Sequence, residues 1–200
     1  IEANRTDSFT GGGMWLTAVA GEISRNVIRE NVGGPGISVY SSNPLTLTNN
    51  LIAGNHYGIS MLGNSRDGSW ALLANNTIAD NGPVGMRGMY TTTFAITNTL
   101  VAGHTEGLRL QDPYSGVVIL QTSLFWNTSG DPPGAFHVDP LLDAFHRPRV
   151  GSPALDAGTT LPWLTTDLRG VARPEGSGYD IGAYEGAGAG VFMPVVVKGE

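Results

Sequence analysis

Residues 49–62 read Asn49-Asn50-Leu51-Ile52-Ala53-Gly54-Asn55-His56-Tyr57-Gly58-Ile59-Ser60-Met61-Leu62. An aliphatic residue, Ile52, stands two places after Asn50 and three before Asn55, and a Gly-led stretch of period-2 alternation follows. The same pattern returns downstream as Asn76, Ile78, Asn81 and Gly85-Met86-Arg87-Gly88, and upstream as Asn26, Ile28, Asn31 and Gly36-Ile37-Ser38-Val39. Further out it continues as Ile1 with Asn4, Gly13-Met14-Trp15-Leu16, Val101 with His104, Gly107-Leu108-Arg109-Leu110, and Leu124 with Asn127. The steps between these aliphatics are 27, 24, 26, 23 and 23 residues. Two more columns keep the period: the apolar pairs Leu45/Leu47, Ala71/Leu73, Phe94/Ile96 and Val117/Ile119, and the polar series Asn26, Asn50, Asn76, Thr99 and Thr122.

Each period holds about three short alternating segments separated by Gly, Asn or polar turns, which leaves no room for helices of ordinary length. The physical solution is an all-β solenoid, a single-stranded parallel β-helix of about five or six coils over residues 1–128. Each coil pairs with the next roughly 4.8 Å along the axis. Inward aliphatics stack on their equivalents, and the amides of Asn26, Asn50, Asn76, Asn31, Asn55 and Asn81 form a structural ladder from coil to coil. His104 replaces a ladder amide. All 13 Asn residues precede residue 128, as the ladder requires. Ile1 already occupies the aliphatic column, so further coils are expected upstream, and an uncapped coil there offers end-to-end self-association.

The composition agrees. Glycine accounts for 29 of 200 residues, and charged residues for only 14%. That excludes a coiled coil, and a 40% hydrophobic share is too high for general disorder. A net charge of −6, with Lys198 the single Lys, argues against a nucleic-acid surface. With no Cys there is no disulfide or thiolate chemistry. No apolar run reaches the ~20 residues of a membrane-spanning helix.

After Asn127 the repeat stops and Pro rises from 4 in the first 128 residues to 8 in the last 72. Residues 129–186 read as an irregular C-terminal cap over the open solenoid end, and 187–200 as a Gly/Ala linker with an apolar tail strand. Asp156, Asp167 and Asp180 with Arg169 and Arg173 punctuate the cap. They read either as turn acceptors paired with the arginines, or as oxygen ligands that would suit calcium. No cofactor is otherwise implied.

The repeat columns resemble those of the right-handed parallel β-helix proteins of the pectate-lyase-like superfamily. The resemblance implies right-handedness, a three-sheet cross-section and a substrate groove along outward strand positions. The elements Asp139-Pro140-Leu141, Ser152-Pro153-Ala154-Leu155-Asp156-Ala157-Gly158, Asp167-Leu168-Arg169-Gly170 with Arg173, and Asp180-Ile181-Gly182-Ala183-Tyr184-Glu185 resemble the terminal module of the choice-of-anchor Q family. That resemblance implies a secreted or surface-attached bacterial protein and no particular reaction.

The register puts Trp15, Ser38, Ser60, Arg87 and Arg109 in one outward row, and Thr17, Tyr40, Leu62, Met89 and Gln111 in the next. Neither row holds a carboxylate, although Asp67, Asp80, Glu106 and Asp112 lie in nearby turns. Arg87 and Arg109 suit uronate or sulfate groups. Trp15, Tyr40 and Tyr57, with Tyr90 and Tyr114 near the same edge, suit stacking on sugar C–H faces. Three functions stay open: a carbohydrate-associated scaffold or glycan-binding module with polysaccharide as partner, a polysaccharide lyase or glycoside hydrolase whose catalytic residues lie partly upstream, and a structural spacer or filament subunit.

Overall fold

A computed structural model describes residues 1–4, 12–18, 20–40, 44–63, 68–111 and 116–186. Asp67, Asp112, Tyr114 and the 187–200 tail lie outside the described residues. Among the described residues there is no helix, and every named strand pairing is parallel. The strands fall into three five-stranded sheets. The first contains β1 (Met14–Thr17), β4 (Pro35–Tyr40), β7 (Tyr57–Leu62), β10 (Val84–Met89) and β13 (Glu106–Gln111). The second contains β2 (Gly21–Ser24), β5 (Leu45–Thr48), β8 (Ser69–Ala74), β11 (Thr92–Thr97) and β14 (Val117–Gln121). The third contains β3 (Val27–Arg29), β6 (Leu51–Ala53), β9 (Thr77–Ala79), β12 (Leu100–Ala102) and β15 (Leu124–Trp126). The chain visits the three sheets in rotation, which makes a β-solenoid five rungs deep, about four turns from first rung to last.

The core is the set of inward columns. Ile37, Ile59, Met86 and Leu108 stack in the first sheet, and Ile28, Ile52, Ile78, Val101 and Phe125 in the third. Glycine precedes the first of these columns because the bend there leaves no space for a side chain. A Cβ on Gly58 would lie 2.3 Å from the Gly85 carbonyl oxygen and 2.9 Å from Ile78.

The last rung departs by one residue from the sequence reading. Val101 pairs with Phe125 rather than Leu124, and the Thr99 N–H bonds the Ser123 hydroxyl, so Thr122 is not the ladder residue. In the second sheet Phe94 and Ile96 pair with Val118 and Leu120. Val117 and Ile119 therefore point outward and are 54% and 58% exposed. The cause is a pair of left-handed backbone columns that flank each third-sheet strand. Arg25, Asn49, Asn75, Asn98 and Thr122 form one, with φ between 41° and 56°. Ala3, Glu30, Gly54, Asp80, Gly103 and Asn127 form the other. Asn tolerates this conformation better than most residues. Asn127 thus belongs to the bend column, and counting it as a ladder amide shifts β14 and β15 by one residue, so that their side chains change face.

Residues 129–136 begin a shortened sixth rung. Ser129 bridges Glu106 at the first sheet, and Phe136 bridges Leu124 at the third, bypassing the second sheet. The remainder, 137–186, does not lie over the solenoid end. It runs along the flank of the third sheet, back toward the first rungs. Ala154 and Ile181 pack on Leu100, Ala102 and Leu124, while Ala183 and Tyr184 pack on Leu51 and Ala53. The task this physically performs is to cover an apolar outer face rather than to plug an end.

Candidate functional site

The outer row of the first sheet is in the expected register: Trp15, Ser38, Ser60, Arg87 and Arg109 are direct neighbours on successive strands. Four strand spacings of roughly 4.8 Å make this strip about 19 Å long. Trp15 and Tyr40 are 49% and 42% exposed. They stand on the first two rungs, whereas Tyr57, Arg87 and Arg109 gather at the third to fifth.

Within that cluster the Arg87 guanidinium lies 5.0 Å from the centroid of the Tyr57 ring, and its Nε and Nη2 donate to Ser60 Oγ at 3.4 and 3.2 Å. Arg109 instead makes a two-pronged pair with Glu106, Nε to Oε2 and Nη2 to Oε1, both at 2.5 Å. That bond holds the Glu106 carboxyl below its ordinary value and raises the Arg109 guanidinium. Glu106 is therefore a committed carboxylate, ill suited to give up a proton. Among the described residues Arg87 pairs with no carboxylate. The arrangement offers one half-buried cation on an aromatic face beside a neutralised one, a geometry that receives an anionic oxygen.

Glu106 was visible in the sequence only as a turn carboxylate. It stands at the start of β13, three residues before Arg109, and the two side chains meet there. Ser60 stood in the predicted row without an assigned role.

The ladder residues join the rungs. Asn31 donates from its backbone and side chain to Asn55 Oδ1 at 3.1 and 2.8 Å, and Asn55 does the same to Asn81 Oδ1. Asn26, Asn50 and Asn76 repeat this at the other bend. His104 reaches the carbonyls of Asn81 and Ile78 at 2.9 and 3.1 Å, and burial lowers its pKa.

In the flanking module the carboxylates accept backbone N–H groups. Asp167 Oδ1 accepts from Arg169 and Val171, and its Oδ2 accepts from Glu185 and the Arg169 Nε. Asp180 accepts from Asp156 and Gly186, both at 2.7 Å, and Asp156 from Gly178. Burial pushes the Asp180 carboxyl up to about 6, against the opposing pull of those N–H groups. Arg173 pairs with Glu185, a residue the sequence reading quoted without singling out, and both side chains are fully buried. Among the described residues no group of three or more His, Asp or Glu is placed to hold a metal ion.

No curated protein and no solved structure matches this chain. Residues 1–70 match the family model described as right handed beta helix region. That match and the three-sheet parallel solenoid together support a right-handed β-helix repeat protein.

Proposed function

We propose that this chain is an extracellular or cell-surface module of bacterial origin that binds an acidic glycan along the outer face of the first sheet. The observation that carries the reading is Arg87, a guanidinium free of carboxylate partners among the described residues, in direct register with Arg109 and stacked on Tyr57. The Arg87 guanidinium can fork onto a carboxylate or sulfate of a sugar, while Trp15 and Tyr40 extend the strip with exposed rings. The resemblance of residues 137–186 to choice-of-anchor modules supports the location. The strip holds one carboxylate among the described residues, and that one is tied to Arg109, so binding is favoured over cleavage.

The test is affinity for polygalacturonate, a sulfated polysaccharide and a neutral glucan, with and without calcium, while soluble product release is followed. Retention of either acidic polymer, weakened by Arg87→Ala without loss of fold, is expected. Equal retention of the neutral glucan would refute the reading, and product release would replace binding with catalysis.

A further inference from the structure

Away from the first sheet, a cleft lies between the third sheet and the flanking module. Leu142 and Pro148 form an antiparallel bridge, and the turn they close is built on Asp143, whose Oδ1 accepts the N–H groups of Phe145 and Arg147. The tip reaches across to the solenoid, where His146 Nε2 meets Asp80 Oδ2 at 3.0 Å. Both residues have left-handed backbones, φ 61° and 50°. Gly103 leaves room for the Asp80 carboxylate, since a Cβ there would stand 2.1 Å from Asp80 Oδ1. A side chain at that position would displace the carboxylate.

This crossbar divides the cleft into two cavities. One, about 360 Å³, is floored by Leu51, Ala53 and Tyr184, with Phe145 at its mouth and Arg29 and Arg147 beside it. The other, about 280 Å³, carries Trp126, with Asp139 and Asp143 beside it. Asp80 and His146 line both. Phe145 is 60% exposed and Trp126 38%. The Arg147 guanidinium stands over Phe145, 5.0 Å from its centroid, so each cavity offers one aromatic ring, and the two share a carboxylate acceptor and an imidazole.

We infer that this cleft binds a neutral disaccharide-sized sugar, one ring in each cavity, with Asp80 and His146 bonding hydroxyls near the linkage. Aromatic faces take the apolar C–H faces of sugar rings, and hydroxyls both donate to a carboxylate and accept from imidazole or guanidinium. The charge distribution selects against a polyanion: Glu30 and Asp80 line the first cavity beside Arg147 and an Arg29 already paired with Glu2, and Asp80, Asp139 and Asp143 line the second, so carboxylates face the ligand in both. The inference is independent of the first-sheet strip, which shares no residue with it.

The test is calorimetric titration of the 200-residue chain with cellobiose, maltose and lactose. Saturable binding of at least one is expected, weakened roughly tenfold by Phe145→Ala or Trp126→Ala, the loss of one stacking face. Asp80→Asn should weaken it as well, and Ile119→Thr on the second sheet should leave it unchanged. Thermal unfolding of each variant separates lost binding from lost fold, and both aromatic positions are exposed enough to tolerate truncation. Absence of saturable binding to all three sugars overturns the inference, as does binding that survives both aromatic truncations. Tighter binding of a galacturonate dimer in the same cleft would also overturn it.

Discussion

The Asn ladder makes a quantitative demand. Asn55 is buried, and its amide serves three neighbours: Oδ1 accepts from the Asn31 backbone N–H and Asn31 Nδ2, while Nδ2 donates to the Ile28 carbonyl at 3.0 Å and to Asn81 Oδ1 at 2.8 Å. Asn55→Ala removes all four bonds. The Asn31 N–H and the Ile28 carbonyl then have no partner from this position in a dry bend, and the Asn31 amide loses its acceptor. At roughly 1–3 kcal/mol for each stranded buried group, with some relaxation, the loss is about 4 kcal/mol. That is a large share of the 5–15 kcal/mol typical of a folded domain. For a chain of this length it corresponds to a fall in Tm of roughly 10 °C. Asn26→Ala is the internal control. Asn26 is half-buried at the first rung and its side chain only donates, to Asn50 Oδ1 and the Ser24 carbonyl, stranding no buried group when removed, so its loss should cost ~1 kcal/mol. Asn55→Asp should cost at least as much as Asn55→Ala, since a buried carboxylate would face the Ile28 carbonyl and Asn81 Oδ1 with no donor between them. Urea and thermal unfolding followed by circular dichroism measure all three. An Asn55→Ala variant within about 1 kcal/mol of the parent, or equal costs at positions 55 and 26, would refute the claim that buried amides bind the rungs together.

The same measurements address three further positions. Gly58→Val places a Cβ 2.3 Å from a backbone oxygen, so the bend must open, and a loss of at least ~2 kcal/mol is expected; an unchanged Tm would contradict the close approach. His104 has a folded-state pKa below its ordinary 6.5, so the stability it contributes is present above pH 6.5 and lost as pH falls through the folded value. His104→Asn, which can donate to the Ile78 carbonyl as Asn81 does to that of Ile52, should flatten the acid limb of the stability profile between pH 7.5 and 5. Asp180 has the opposite sign: its folded pKa of about 6 lies above the ordinary 3.8, so its contribution is greatest below pH 3.8 and declines as pH rises through 6. The stability of Asp180→Asn relative to the parent should therefore improve between pH 4 and 7, and a difference that stays constant would contradict the raised carboxyl.

The solenoid was legible because its determinants repeat. A column of Gly, a column of inward aliphatics and a column of Asn each report the same period, and together they predict the pairing of Met14 with Ile37 or Arg87 with Arg109 without any long-range information. The one-residue slip at the last rung has a definite origin. The motif cannot distinguish an Asn that bonds the next coil from an Asn chosen for a left-handed bend, and Asn127 is of the second kind. The alternation at 117–120 is no help, because Val117, Val118, Ile119 and Leu120 are all apolar and either pair could face inward. The course of residues 137–186 was not legible for a different reason. An irregular Pro-rich segment carries no periodicity, and its partners, such as Asn49 for Arg173 or Thr77 for Ala183, lie more than a hundred residues away in sequence. The His146–Asp80 crossbar has the same character and had no signal in either segment alone.

The Asn doublets resolve this apparent separation between repeat and flank. In Asn49-Asn50 and Asn75-Asn76 the second residue bonds the neighbouring rung, while the first stands in a left-handed bend and turns its amide outward. Those outward amides hold the module: Asn49 Nδ2 donates to the Thr166 carbonyl, Asn75 Nδ2 to that of Asp180, and Asn98 Nδ2 to that of Thr159, each at 2.7 or 2.8 Å. Asn98 also accepts from the Thr159 N–H, and Asn49 from Arg173. One bend thus presents two parallel rows of amides, one stitching the coils and one carrying a docking strip for an irregular chain with its own unpaired carbonyls. The requirement that polar groups at a buried seam find partners explains why the doublet recurs on the rungs the module crosses. It also fixes the module's distance from the third sheet, and hence the position of the loop that carries His146 to Asp80. Replacing Asn75 with Gly would preserve the left-handed backbone while deleting two bonds to the module, to the Asp180 and Gly182 carbonyls, and one from Asn98 on the next coil, so the loss should fall more on the flank and on the cleft beside it than on the solenoid.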